Sequence, residues 1–241
     1  MGDNILTMIK VIELPIDKDM GGLTSYVLQL YRMIDKKEFE LTLLSYDDPQ
    51  NFDVNYNVET VSRPYHIIQF YKKMKCLLSE GKDIIHFHQS YVNIIPILIA
   101  KLAGFKTIIL HAHSSSIDDN RKIVRFLKTG LHKVGRFLLP YLVDTYIGCS
   151  TKASEWMFPR KCIDSDSYYL LHNAIDLDLY DRNINLGLEV RQKFNIPKDA
   201  LVVGHIGRFT PVKNHPFIID IFKEVLKQNP NSYLFLLGDG V

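Results

Sequence analysis

Short apolar runs that close on a glycine or a polar residue alternate along this chain with segments whose apolar residues fall at helical spacing. The runs are Thr7 to Leu14, Phe39 to Tyr46, Val58 to Val61, Asp83 to His88, Lys106 to Ala112, Asp144 to Cys149 and Tyr168 to Leu171. They are nearly continuous in apolar residues instead of alternating, as expected of strands covered on both faces. Between them Leu23, Tyr26, Val27, Leu30 and Ile34 mark one helix face, Ile67 to Leu78 and Val92 to Ala103 read as helices, and Ser150 caps a further one holding Trp156. Alternation of strand and helix across roughly the first 170 residues predicts an α/β fold with a doubly wound parallel sheet. Apolar periodicity lapses from Asp176 to Asn185, which predicts a domain of residues 1–176 followed by the start of a second at 177–241.

That second stretch is organised by one unit. Leu201 to Ile206 reads as a fully buried strand closed by Gly207, Ile218, Ile221, Phe222 and Val225 as a helix face with Asn214 as its N-cap, and Tyr233 to Leu237 as a second buried strand ending at Gly238. The turn between strand and helix lies at the strand's carboxyl end, where open α/β sheets bind ligands. It carries Arg208 and Lys213 beside free N–H groups and the positive end of the helix dipole, a set suited to a pyrophosphate. Two ordinary cations in a solvated turn are the alternative.

Four histidines form two H-x-H pairs, His86 with His88 and His111 with His113, each pair sharing one face of its strand. Such pairs invite a metal. No carboxylate is apparent beside them in sequence to complete a hydrolytic site, so the expectation is histidines hydrogen-bonded at the rim of the sheet, with no metal. Gly21-Gly22 opens the first helix without the spacing of a dinucleotide fingerprint, and it reads as a tight turn or as a place where backbone can approach a ligand. Asp164-Ser165-Asp166 and Asp176-Leu177-Asp178 read as caps and turns. From 118 to 139, Arg121, Arg125, Lys128, His132 and Arg136 form a basic stripe opposite Val124, Leu127, Leu131, Val134 and Leu138. The basic face, with Phe126 and Phe137 beside it, is expected either to be solvated or to rest on anionic lipid.

The totals narrow the function classes. A net charge of +2 over 241 residues argues against a nucleic-acid binder. Cys76, Cys149 and Cys162 form no CxxC pair, no apolar run approaches the roughly 20 residues of a membrane span, and the first residues lack the features of a signal peptide. A cytoplasmic protein is expected, in peripheral membrane contact if the basic face meets lipid.

Gly207-Arg208-Phe209, Lys213-Asn214-His215 and Gly238-Asp239-Gly240, in this order and spacing, resemble the donor-site segment of GT-B glycosyltransferases of family 4, most of all the capsule and exopolysaccharide type. His172-Asn173-Ala174-Ile175-Asp176 resembles the family's interdomain linker, with Ala174 in place of a glycine. The resemblance implies a retaining transfer of a hexose from a nucleotide sugar to a saccharide or lipid-linked saccharide, with no metal required and no cofactor beyond the nucleotide sugar. In it Arg208 and Lys213 grip the diphosphate, Gly207, Asn214 and Gly238 shape the donor segment, and Gly21 and Gly22 lie close to phosphate. His113 contacts the transferred sugar, with His111 in reserve should the alignment slip by two. The family's E-x7-E segment does not follow Gly240, so the resemblance covers an incomplete C-terminal domain. A truncated, non-catalytic acceptor-binding or partner module is the competing expectation, and a nucleotide-sugar epimerase of the same fold a third.

Overall fold

The computed structural model describes residues 8–18, 21–117, 119, 121–177 and 184–240. Thr7, Asp19, Met20, Asp118 and Asp178, with the linker residues around it to 183, lie outside them. The chain forms two compact units, Met1–Ile175 and Asp176–Val241.

In the first unit seven strands make one parallel sheet. They are β1 (Ile9–Ile16), β2 (Phe39–Ser45), β3 (Val58–Thr60), β4 (Ile84–Gln89), β5 (Thr107–Ala112), β6 (Thr145–Gly148) and β7 (Tyr168–Leu170). Their order is β3-β2-β1-β4-β5-β6-β7, with every pairing parallel. Chain order therefore reverses between β1 and β4, the switch point at which doubly wound sheets open a crevice at their carboxyl ends.

The connecting helices are α1 (Gly22–Met33), α2 (Ile67–Ser79), α3 (Ile94–Ala103), α4 (Lys122–Leu142), α5 (Thr151–Met157) and α6 (Arg160–Ile163). The cap residues behave as their chemistry dictates: the Asn93 side chain accepts from the Ile95 N–H, Ser150 accepts from the Ala153 N–H, and Gly104 ends α3 in the left-handed region at φ 107°. Asp164 ends α6 and pairs with Arg160, a capping and surface role.

One face of the sheet is covered by α2, α3 and α4. Ile12, Leu14, Ile85, Phe87, Ile108 and Leu110 meet Phe70, Met74, Leu77, Ile97 and Leu139 there in the main core. On the other side Val27 and Leu28 of α1 pack with Ile16 and Leu43.

In α4 the structure follows the expected faces only in part: Arg121 and Arg125 are exposed and Leu131 and Leu138 pack against the core, but the rest of the basic stripe turns inward. His132 is buried and accepts the Val92 N–H at 3.0 Å, Arg136 donates to the carbonyls of Glu155 and Phe158, and Lys128 pairs with Asp119 at 2.8 Å. Gly135 is buried against Val92, leaving no space for a larger residue. Polar and small residues occupy the inner side because the neighbouring loop and helix ends offer free N–H and C=O groups that only such side chains satisfy. Ile123, Phe126, Leu127, Val134, Phe137 and Tyr141 are consequently exposed, Phe126 to 78% and Phe137 to 72%.

The second unit holds α7 (Ile184–Lys193), β8 (Leu201–Ile206), α8 (His215–Gln228) and β9 (Ser232–Leu237). β8 and β9 pair in parallel through six residues as a two-stranded sheet. The β-α-β order is as expected, but the burial is not. Leu201 is 42% exposed, Ile206 81% and Leu237 50%, and no residue of α8 is buried. Two strands cannot cover one another's faces, and among the described residues no third strand joins them.

Candidate active site

The register of the first sheet builds a cluster that no local stretch of sequence contains. Glu13 of β1 stands beside His86 of β4, and His88 of β4 beside His111 of β5. Side chains two apart share a face, so Glu13, His86, His88 and His111 project from one side of the sheet at the switch point, with His113 just past the end of β5. All four strand residues are buried, His111 completely. Tyr26 of α1 covers them, its ring 5.2 Å from those of both His111 and His113.

Glu13 corrects the expectation that no carboxylate accompanies the histidines. Its Oε2 lies 3.0 Å from His86 Nδ1 and 2.6 Å from His88 Nε2. The second nitrogen of His88, Nδ1, lies 2.8 Å from His113 Nε2. A continuous chain thus runs from Glu13 through His88 to His113. A lone ionisable residue inside the apolar run from Val11 to Ile16 was the available signal for Glu13, and Tyr26 was hidden among the apolar residues of its helix face.

The electrostatics follow from burial. Burial by itself would raise the Glu13 carboxyl, but the positive charge of His86 and the N–H groups of His86 and His88 outweigh it and hold the carboxyl down at about 2. Burial, and then the charge of His86, push His88 down to about 4 against the pull of Glu13. Burial and neighbouring histidines likewise lower His111 and His113. At neutral pH the site is one carboxylate facing neutral His88, His111 and His113.

His86, His88 and His111 bring one nitrogen each to within 4.8 Å of one another, the spacing of a candidate metal site. His86 Nε2 and both nitrogens of His111 are buried without hydrogen-bond partners among the described residues. His88, however, has both nitrogens engaged, and a metal bound there would have to displace Glu13 or His113.

Gly21 and Gly22 stand at the start of α1, one turn before Tyr26, with Gly21 as N-cap at φ −76°. A Cβ at Gly22 would meet nothing within 4 Å, so packing does not require glycine there.

In the second unit Gly207, Arg208, Lys213, Asn214 and Gly238 come together at the carboxyl ends of β8 and β9. The Gly207 N–H donates to the Leu237 carbonyl and the Phe209 N–H to that of Asp239, bringing the two strand ends side by side. A side chain at Gly238 would collide with the Gly207 carbonyl oxygen, so glycine is needed for this approach. Pro211–Lys213 forms a 3-10 turn, and the Lys213 stem lies over Gly207. Asn214 is left-handed, at φ 48° and ψ 50°. It caps α8 with its backbone carbonyl, which accepts from the Phe217 and Ile218 N–H groups, and not with its side chain as expected. Arg208 and Lys213 are exposed, and neither pairs with a carboxylate among the described residues.

Known proteins resemble this chain along nearly its whole length. The chain is 25% identical to the glycosyltransferase EpsF of Bacillus subtilis over 96% of its own length and 62% of that protein. It is 22% identical to the UDP-Gal:alpha-D-GlcNAc-diphosphoundecaprenol alpha-1,3-galactosyltransferase of Escherichia coli, again over 96% of this chain and 62% of the relative. The crystal structure of Anabaena Alr3699/HepE in complex with UDP-glucose matches with a TM-score of 0.68 at 16% identity, covering 95% of this chain and 60% of that one. The chain therefore spans about three fifths of the length of these relatives. The fold they share is the α/β fold of GT-B glycosyltransferases, with the seven-stranded parallel sheet of the first unit. Residues 20–179, the greater part of the chain and nearly all of the histidine-bearing unit, match the family model of Glycosyltransferase Family 4, and the chain belongs to that family.

Proposed function

We propose that the protein transfers a hexose from a nucleotide sugar to a saccharide or lipid-linked saccharide, with retention of configuration, in the synthesis of a capsule, exopolysaccharide or other envelope glycan. Residues 1–176 take the acceptor, and residues 177–241 belong to the domain that holds the nucleotide sugar. The observation that carries this reading is the buried Glu13 and histidine cluster at the switch point of a family 4 sheet, ending at His113. The names of the two relatives, one a glycosyltransferase and one a transferase acting on a diphosphoundecaprenol-linked sugar, support the substrate class.

Breaking a glycosyl–phosphate bond leaves negative charge on the diphosphate. Cations fixed where that charge develops stabilise the transition state more than the ground state. Arg208 and Lys213, exposed beside the start of α8, serve this purpose without a metal, and Gly207, Asn214 and Gly238 give the turn its shape. His113 orients the transferred sugar, His111 packs behind it, and the N–H groups that follow Gly21 and Gly22 at the start of α1 face phosphate.

A lipid-linked acceptor has an observation of its own. The exposed side of α4 presents Ile123, Phe126, Leu127, Val134, Phe137 and Tyr141, with exposed Lys122, Arg125 and Lys133 beside them. No acidic residue occurs from Arg121 to Val143. An apolar strip edged with cations suits an anionic leaflet, into which the aromatics insert while the cations remain at the headgroups. The protein then works at the inner face of the cytoplasmic membrane, although none of its described helices is long and apolar enough to cross one.

The assay is transfer from UDP-glucose or UDP-galactose to a polyprenyl-diphosphate sugar, with the product's anomeric configuration read by NMR. His113→Ala is expected to lower kcat by about a hundredfold, as for loss of one positioned polar group at a reacting centre. Transfer with inverted configuration, or hydrolysis of the donor alone, would count against the reading.

A further inference from the structure

We propose that Glu13 is a positioning residue: through His88 it fixes His113 as the tautomer protonated at Nε2, so that His113 offers the transferred sugar a bare Nδ1 lone pair. What His113 meets rests on the transferase reading; the tautomer rests on the hydrogen-bond geometry of rings kept neutral by burial.

The chain of hydrogen bonds has one consistent polarity. An ionised carboxylate only accepts. Glu13 Oε2 faces nitrogens of two histidines, so His86 donates from Nδ1 and His88 donates from Nε2. A neutral His88 with its proton on Nε2 has an unprotonated Nδ1, which must accept. Its partner at 2.8 Å is His113 Nε2, which therefore donates. His113 spends its one proton on this bond, and the nitrogen left over is Nδ1.

With both rings neutral, no other arrangement satisfies all three bonds. A proton on His88 Nδ1 would set the bare Nε2 lone pair against the Glu13 carboxylate at 2.6 Å. A charged His88 would donate to both neighbours and reverse the second bond, and a charged His113 would keep that bond but fill its own Nδ1; burial and the neighbouring rings oppose a charge on either.

The consequence for a sugar is a matter of sign. A ring held as Nδ1 acceptor takes a hydrogen bond from a sugar hydroxyl and leaves that oxygen's lone pairs for other partners. The opposite tautomer would donate, and would select a different hydroxyl orientation. Preorganising the acceptor removes the cost of choosing a tautomer when the sugar binds.

The test is nitrogen-15 NMR of the full 241-residue chain with labelled histidine, which reports the protonated nitrogen of each ring without any need for activity. In the unaltered protein His113 is expected as a single neutral tautomer with its proton on Nε2, coupled across the hydrogen bond to His88 Nδ1. In Glu13→Leu, close in volume and without an acceptor, the polarity is no longer pinned, and the Nδ1-protonated form of His113 becomes populated. With donor and acceptor supplied, kcat of that variant falls about tenfold to a hundredfold while the donor KM stays within about twofold. His113 protonated on Nδ1 in the unaltered protein, or a tautomer unchanged in a folded Glu13→Leu, would overturn the proposal. The unaltered spectrum decides even if the variant does not fold. The expected tautomers with no transfer in either protein would uphold the relay and count against the transferase reading.

Discussion

Glu13 is a charge in the centre of a sheet, and the protein tolerates it because two imidazole N–H groups meet one of its oxygens. The arrangement has a cost in acid. Folded-state values lie below the ordinary ones for His88, His111 and His113, so as pH falls through 6.5 the unfolded chain takes up protons that the folded one refuses. Stability is therefore full above that value and is lost as pH falls toward the folded value, near 4 for His88. Each ring contributes a slope approaching about 1.4 kcal/mol per pH unit, so the three together are expected to remove about 3 kcal/mol between pH 6.5 and 5.5. Glu13 acts in the same direction lower down, its contribution present above 4.5 and lost as pH falls toward 2. Urea unfolding at pH 7.5, 6.5 and 5.5, with His113→Gln flattening the slope by about a third, checks this. A flat profile would mean that the rings are solvated. The H-x-H pairs were visible in sequence because strand periodicity places both members on one face. Glu13 was not, since its partnership depends on β1 lying next to β4, and pairing across 73 residues is written in no local pattern.

At the scale of elements, the strands and most helices were legible to within a residue or two, because apolar period and cap chemistry are local properties; α4 begins four residues later than expected, and α7 was not read at all. The inner face of α4 was not legible. Its basic stripe looked like a solvated surface, yet His132, Arg136 and Lys128 find partners in the Val92 backbone, the carbonyls of Glu155 and Phe158, and Asp119. Periodicity reveals that a helix has two faces, and only the neighbouring backbone decides which one turns inward. The same misjudgement applied to β8, whose apolar run met the description of a buried strand but lies in a two-stranded sheet. The outward face of α4 has a direct consequence. Phe126→Asp with Phe137→Asp should leave the unfolding free energy within about 0.5 kcal/mol, since both side chains are exposed. The pair should reduce co-sedimentation with phosphatidylglycerol vesicles by at least about tenfold, and neutral phosphatidylcholine vesicles should bind the unaltered chain weakly. Equal binding by the double variant would remove α4 from the membrane contact, and a dimer dispersed by it would assign the face to a second copy.

The whole molecule is two compact units. The first holds a buried, hydrogen-bonded cluster of Glu13 and histidines, and the second presents two cations on a turn shaped by glycines. The cationic turn could be read from sequence because its residues lie within 32 positions of one another and its glycines answer to a local steric need. The histidine cluster could not be read so fully, because it is assembled from β1, β4, β5 and α1 by the topology of the sheet. A net charge of +2 gives the molecule no long-range attraction for anions, so a phosphorylated ligand must be held by local contacts. The most direct measurement is calorimetric titration of the 241-residue chain with UDP, GDP and ADP, alongside Arg208→Ala and Lys213→Ala. The prediction is binding of at least one of the three, weakened about tenfold or more by each substitution, the loss expected for a charge-assisted hydrogen bond to phosphate. Absence of binding to all three, or binding that neither substitution alters, would contradict the assignment of this turn to the donor diphosphate and favour a non-catalytic, acceptor-binding module.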